Sequence, residues 1–142
     1  PILAVPPNFK IDQPRKIFFA STLEDQDVLY LKEVLPLAQN LNAEIEIVHI
    51  SHKEEKEAME NLNSFKNKVR NEVDYNKITY KTIYSSEIVE TLRKAVEEGQ
   101  PDFVLMPERK NSSVYKRGVI KDRIKKMQSC SPSPLLTLPA LI

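Results

Sequence analysis

Glycine is almost missing from this chain: Gly99 and Gly118 are the only two in 142 residues. The dinucleotide fingerprint and the Walker loop need two or more glycines in close spacing, because a Cβ would hold the phosphate off the backbone. Neither motif can be built here. Cysteine is reduced to Cys130, which excludes an intrachain disulfide and a multi-cysteine zinc site. The two histidines, His49 and His52, have a spacing that serves a metal only on a helix with further ligands, and no metal site is expected. No apolar run reaches the roughly 18 residues of a membrane span. The opening residues also lack the basic region of a signal peptide. Excess charge is missing too: 21 Lys plus Arg against 20 Asp plus Glu leave a net charge of +1. That balance gives no global attraction for nucleic acid or an anionic membrane, so neither is expected as a partner. A cytoplasmic location is the expectation.

What is present reads as alternating strands and helices. Ile17-Phe18-Phe19-Ala20 is a short apolar run, as a buried strand requires. Ser21, Thr22, Glu24 and Asp25 follow as helix-start chemistry, and Val28, Leu31, Leu35, Ala38 and Leu41 mark one helical face. Pro36 inside that helix predicts a kink, and Asn40 and Asn42 predict its end. A second strand is expected over 44–50, and a charged helix over 53–73 with Ala58, Leu62, Phe65, Val69 and Val73 on one face. A third strand is expected over 78–84. Ser85 or Ser86 is the expected cap of the next helix, and Gly99 its C-terminal glycine. Asp102 to Met106 reads as another buried strand. Val119, Ile120, Ile124 and Met127 mark a last helix, and Leu135 to Leu138 a fifth strand. Strand–helix alternation of this kind implies a parallel sheet covered on both faces, with ligands at the carboxyl ends of the strands.

The two ends of the chain echo each other. Pro1-Ile2-Leu3-Ala4-Val5-Pro6 has the design of Pro134-Leu135-Leu136-Thr137-Leu138-Pro139. The expectation is a tandem protein of which this chain is a fragment. Residues 1–14 would be the last strand of a preceding, similar domain plus a linker, and residues 15–142 the domain itself. The apolar arm is expected to dock, because left free it would expose a sticky edge.

From Lys16 to Pro139 the chain resembles a universal stress protein domain. The resemblance rests on Lys16-Ile17-Phe18-Phe19-Ala20 with its acidic follow-on, the passage from Leu37 to His49, the strand Pro101 to Met106, and Ser131-Pro132-Ser133-Pro134-Leu135-Leu136 leading into the last strand. It implies an α/β, three-layer Rossmann-like fold of the adenine nucleotide alpha hydrolase-like type: a five-stranded parallel sheet in order 3-2-1-4-5 with helices on both faces. It also implies pairing through the fifth strand, as a homodimer or with a tandem domain of the same kind. ATP-binding members carry an Asp after the first strand, where this chain has Thr22, and a Gly-x2-Gly-x9-Gly-Ser/Thr loop after the fourth. Here Pro107 and Lys110 stand at the first two glycine positions. Gly118 matches the third only with a loop two residues shorter, and Val119 then replaces the hydroxyl. Pro107 has no N–H to give a phosphate.

The expected pocket therefore comprises Ser21, Thr22, His49, Pro107, Arg109, Lys110, Ser112, Ser113 and Gly118, as a vestigial nucleotide site with no cofactor. The alternative is an ATP or AMP sensor. In it Arg109, Lys110, Lys116 and Arg117 surround Ser112 and Ser113 and hold phosphate by side chains, against the opposing charge of Glu108. Ser21 and Thr22 read first as helix caps, and second as partners of a ligand hydroxyl. His49 reads as a plain strand-end histidine, with a general base as the other reading. Cys130 reads as a structural thiol, and Tyr80 and Tyr84 as packing residues or a partner patch. No nucleophile–base pair is visible, so the expectation is a regulatory or binding domain in stress response and not an enzyme.

Overall fold

The computed structural model describes residues 2–4, 16–52, 55–107, 126–127 and 133–138. The elements are β1 (Ile2–Ala4), β2 (Lys16–Ala20), α1 (Asp25–Leu41), β3 (Glu44–Ser51), α2 (Glu55–Glu72), β4 (Ile78–Tyr84), α3 (Ile88–Gly99), β5 (Phe103–Pro107) and β6 (Leu135–Leu138). The helix expected over Val119, Ile120 and Ile124 lies outside the described residues. Met127 is helical and fully buried.

The strands form one sheet in the order β1-β6-β5-β2-β3-β4. From β6 to β4 every pairing is parallel, which is the expected order 3-2-1-4-5. β2 lies at the centre because it is apolar on both faces: Ile17, Phe18 and Phe19 are each no more than 1% exposed. Ile17 and Phe19 join Ile45, Ile47 and Leu105 under α1 and α2, with Val28, Tyr30, Leu31, Phe65 and Val69. Phe18, Val48 and Val104 face the other way, packing with Leu92, Ala95 and Val96 of α3 and with Met127. Two cores, one on each face, follow from the period-two alternation of the strands.

The N-terminal segment does pair with the domain. β1 runs antiparallel to β6, with Ile2 opposite Thr137, Leu3 opposite Leu136 and Ala4 opposite Leu135.

Three local expectations need correction. Glu24, not Ser21 or Thr22, is the N-cap of α1, and it makes no side-chain cap bond. Glu87 holds that position in α3, again without a side-chain cap. Ser85 acts one step earlier, its hydroxyl accepting from the Glu87 N–H at 3.1 Å and the Thr91 hydroxyl at 2.8 Å. Third, the left-handed residue closing α3 is Gln100, at φ 47°, and its N–H donates to Val96 O. Gly99 is needed for packing instead, since a Cβ there would collide with the tip of the Phe18 ring. Asn42 closes α1 in the left-handed region, and α1 runs through Pro36. The ring sits on the exposed side, where the carbonyl it releases can bond water.

Gly99→Ala therefore sets helix propensity against overlap. Alanine gains about 1 kcal/mol in a helix, whereas overpacking a full core costs about 1–3 kcal/mol. Because Phe18 is buried on all sides, a net loss of up to about 2 kcal/mol is expected in urea unfolding. A rise in stability would refute the packing account.

The amino ends of the strands are tied together. Lys16 N–H donates to the Asp102 carboxylate at 3.0 Å, and Asp102 N–H returns a bond to Lys16 O at 2.8 Å. Ile45 N–H donates to Lys77 O at 2.8 Å, and the Ser133 hydroxyl to Pro101 O at 2.7 Å. The opposite ends of β2, β3 and β5 carry the candidate site. Among the described residues no helix is long and apolar enough to cross a membrane.

Candidate functional site

Register alone brings three of the expected residues into one row. Phe19 pairs with Ile47 on one side and Leu105 on the other. Two residues further along each strand come Ser21, His49 and Pro107. Arg109, Lys110, Ser112, Ser113 and Gly118 lie outside the described residues.

A buried carboxylate organises the turn after β2. Ser21 N–H extends the ladder to Val48 O at 2.9 Å. The Ser21 hydroxyl donates to Asp27 Oδ2 at 2.5 Å, and Thr22 N–H donates to the same oxygen at 3.1 Å. Leu23 N–H donates to Ser21 Oγ at 2.9 Å. Asp27 is fully buried in the first turn of α1, where the helix dipole favours a negative charge. The turn closes only because Leu23 takes φ 61°, a left-handed conformation costly for a branched side chain. Ser21 and Asp27 together supply what a glycine turn would supply by itself. The N–H groups of Thr22 and Leu23 are thereby both engaged inside the turn.

His49 is fixed by its backbone neighbour. Its Nδ1 lies 2.8 Å from Ser21 O. A carbonyl oxygen can only accept, so Nδ1 carries the proton, and in the neutral ring Nε2 is the acceptor.

Beside this row opens a cleft of about 560 Å3, lined by Thr22, Leu23, Asp25, His49, Ile50, Ser51, His52, Asn61, Ser64, Phe65, Lys68 and Ile88. Its outer wall is a stripe of α2, with Asn61, Ser64 and Lys68 at helical spacing next to the buried Phe65. Lys68 Nζ reaches Asp25 Oδ1 at 2.8 Å and joins α2 to the start of α1. With Asp25 85% exposed, the ion pair adds little stability. Thr22 and His49 thus share a cleft, while Ser21 lies behind it and Pro107 does not line it. Among the described residues no cluster of three or more His, Cys, Asp or Glu side chains is placed to hold a metal. Sequence reasoning missed Asp27 and the α2 wall. The polar spacing of Asn61, Ser64 and Lys68 was a usable signal, but that of Asp27 was hidden among helix-start acids.

No family model matches the chain, and no curated protein sequence matches it either. Solved structures do match in fold. A universal stress protein in complex with cAMP superposes with a TM-score of 0.69 at 12% identity, covering 90% of this chain and 98% of that one. The universal stress protein UspA from Lactobacillus plantarum gives 0.70 at 10% identity, covering 89% and 98%. A universal stress protein from Archaeoglobus fulgidus in complex with dAMP gives 0.60 at 15%, covering 90% and 98%. The chain has the universal stress protein fold.

Proposed function

We propose that the chain is a non-catalytic regulatory module in stress response that acts through contacts with a second domain of the same fold, at the β6 edge. The observation that carries this is the register of β1. Laid over Pro134–Pro139, the segment Pro1–Pro6 places Ile2 on Leu135, Leu3 on Leu136 and Ala4 on Thr137. In the sheet, Leu3 faces Leu136, with Ile2 opposite Thr137 and Ala4 opposite Leu135. The strand therefore pairs with its own echo about a local pseudo-two-fold. Such a pairing is what the β6 strand of a second copy would make in an isologous contact. The tandem reading supplies the same strand from a preceding domain.

In this reading the nucleotide pocket is vestigial. Pro107 offers no N–H, and those of Thr22 and Leu23 are engaged by Asp27 and Ser21. A second reading, an ATP or AMP sensor, draws on the open cleft at the carboxyl ends and on the neighbours in complex with cAMP and dAMP. Calorimetric titration with magnesium ATP, and then with AMP, separates the two. The regulatory reading expects no heat at millimolar nucleotide. Binding with Kd near or below about 10 μM, worth about 7 kcal/mol, would overturn it in favour of the sensor.

A further inference from the structure

The sheet has two edges, and they are treated differently. One ends in the three-residue β1. The other is β4, seven residues without proline, which pairs among the described strands only with β3. Long open edges recruit other strands, and proteins ordinarily blunt them. Which backbone groups β4 presents follows from two bonds at its ends. Ile45 N–H donates to Lys77 O, and Ser85 N–H donates to Ser51 O. A parallel ladder repeats every two residues, so the odd-numbered residues of β4 bond β3. The N–H and C=O groups of Ile78, Tyr80, Thr82 and Tyr84 then point outward.

Cations stand beside that edge on both faces. On the α2 face Lys66 Nζ lies 5.1 Å over the Tyr80 ring, and Lys66 and Arg70 line a cleft of about 350 Å3 with Tyr75, Ile78 and Tyr80. On the α3 face Lys81 occupies the centre of the strand. Among the described residues none of these three cations forms an ion pair with an acid. The acids close by are few. Asp74 lines the same cleft, Glu44 accepts from the Thr79 hydroxyl at 2.8 Å, and Glu46 is paired with Lys16 at 2.9 Å. Thr82 Oγ1, on the same strand, is a buried side-chain oxygen without a partner among the described residues. Tyr84 is 47% exposed.

We infer that the β4 edge is a docking site for an acidic extended segment of a partner protein, added to the sheet as a further strand. A second copy of this chain is disfavoured there. Antiparallel pairing of two β4 strands about their middle puts Lys81 opposite its own copy, and like charges directly opposite are destabilising. An acidic strand meets the reverse situation. Acids on the α2 face of such a strand meet Lys66 and Arg70, and an acid on the α3 face meets Lys81. Backbone bonds would supply the affinity and the flanking charges the selection. The inference is independent of the β6 contact, which lies at the opposite edge.

Hydrogen exchange on the intact chain tests it. The probe is a synthetic peptide of about eight residues alternating valine and glutamate, a typical strand length. Its counterpart carries lysine in place of glutamate. The glutamate peptide is expected to slow exchange at the amides of Ile78, Tyr80, Thr82 and Tyr84, and the lysine peptide is not. Lys66→Glu combined with Lys81→Glu alters only side chains beside the edge, and should weaken binding of the glutamate peptide roughly tenfold or more. Unchanged exchange at those four amides at millimolar glutamate peptide would overturn the inference. So would equal protection by both peptides. Protection that grows with protein concentration in the absence of peptide would replace it with self-association.

Discussion

Deletion of residues 1–14 is expected to turn a monomer into a self-associating protein. In the intact chain β1 already occupies the edge of β6, bonded antiparallel over Ile2–Ala4. Without it, the backbone of Leu135 to Leu138 faces water as an unpaired edge. That edge is not charged: among its side chains Leu135 and Thr137 are buried and Leu136 packs against the larger core. Among the described residues of β6 no charge repels a second copy, in contrast to β4 with its central Lys81. Two-fold pairing of Leu136 with Leu136 reproduces the register that β1 now uses. Sedimentation should show the intact chain monomeric, and the shortened chain dimeric with Kd of order tens of micromolar, about 6 kcal/mol. A shortened chain that stays monomeric at high micromolar concentration would sink the β6 contact. Dimerisation of the intact chain to the same degree would show that β1 does not guard that edge.

Asp27→Ala is expected to be the most damaging single substitution at the site. It removes the acceptor of both the buried Ser21 hydroxyl and the Thr22 N–H. Each group left without a partner away from water costs about 1–3 kcal/mol. Part of that is recovered where the turn can open to solvent, so a net loss of about 3 kcal/mol is reasonable for a buried network of this kind. In a domain of this size that lowers Tm by roughly 10 °C. Asp27→Asn keeps the volume and one oxygen, which at the Oδ2 position accepts from both donors, but gives up the stronger bonds to a charged acceptor, and should recover about half of the loss. The loss should also free the Leu23 turn, which Asp27 and Ser21 hold at positive φ. A loss below about 1 kcal/mol for the alanine variant would mean that the turn does not depend on this carboxylate.

These two expectations draw on different kinds of information. The strand order and the two-sided burial of β2 were legible in the alternation of Ile17, Phe18 and Phe19 and in the helical spacing after each strand, because hydrophobic periodicity is a property of whole elements. The Pro1–Pro6 echo was legible too, although its register with β6 needed coordinates. The local polar contacts were not legible. Asp25 and Asp27 look equivalent beside Glu24 at a helix start, yet Asp25 is exposed and paired with Lys68 while Asp27 is wholly buried. A rotation of 200° along the helix separates them, and only the packing of Tyr30 and Leu31 fixes which one turns inward. The position of Gly99 suits a helix terminator and says nothing of its packing. Its proximity to Phe18 joins residues far apart in sequence, and no local pattern reports it. The cleft wall on α2 was hidden because Asn61, Ser64 and Lys68 also fit an ordinary solvated surface.

The bonds that tie Lys16 to Asp102, Ile45 to Lys77 and Ser133 to Pro101 all lie at the amino ends of the strands. They fasten one pole of the sheet directly from strand to strand, whereas at the other pole the turn after β2 is held by the side chains of Ser21, Asp27 and His49. The cleft lies at this second pole, so what bounds it on the β2 side is a small set of polar contacts standing on a base fastened independently of them. A ligand or partner that exchanges those contacts for its own therefore spends its binding energy on a few residues, and the amino-end base does not have to yield.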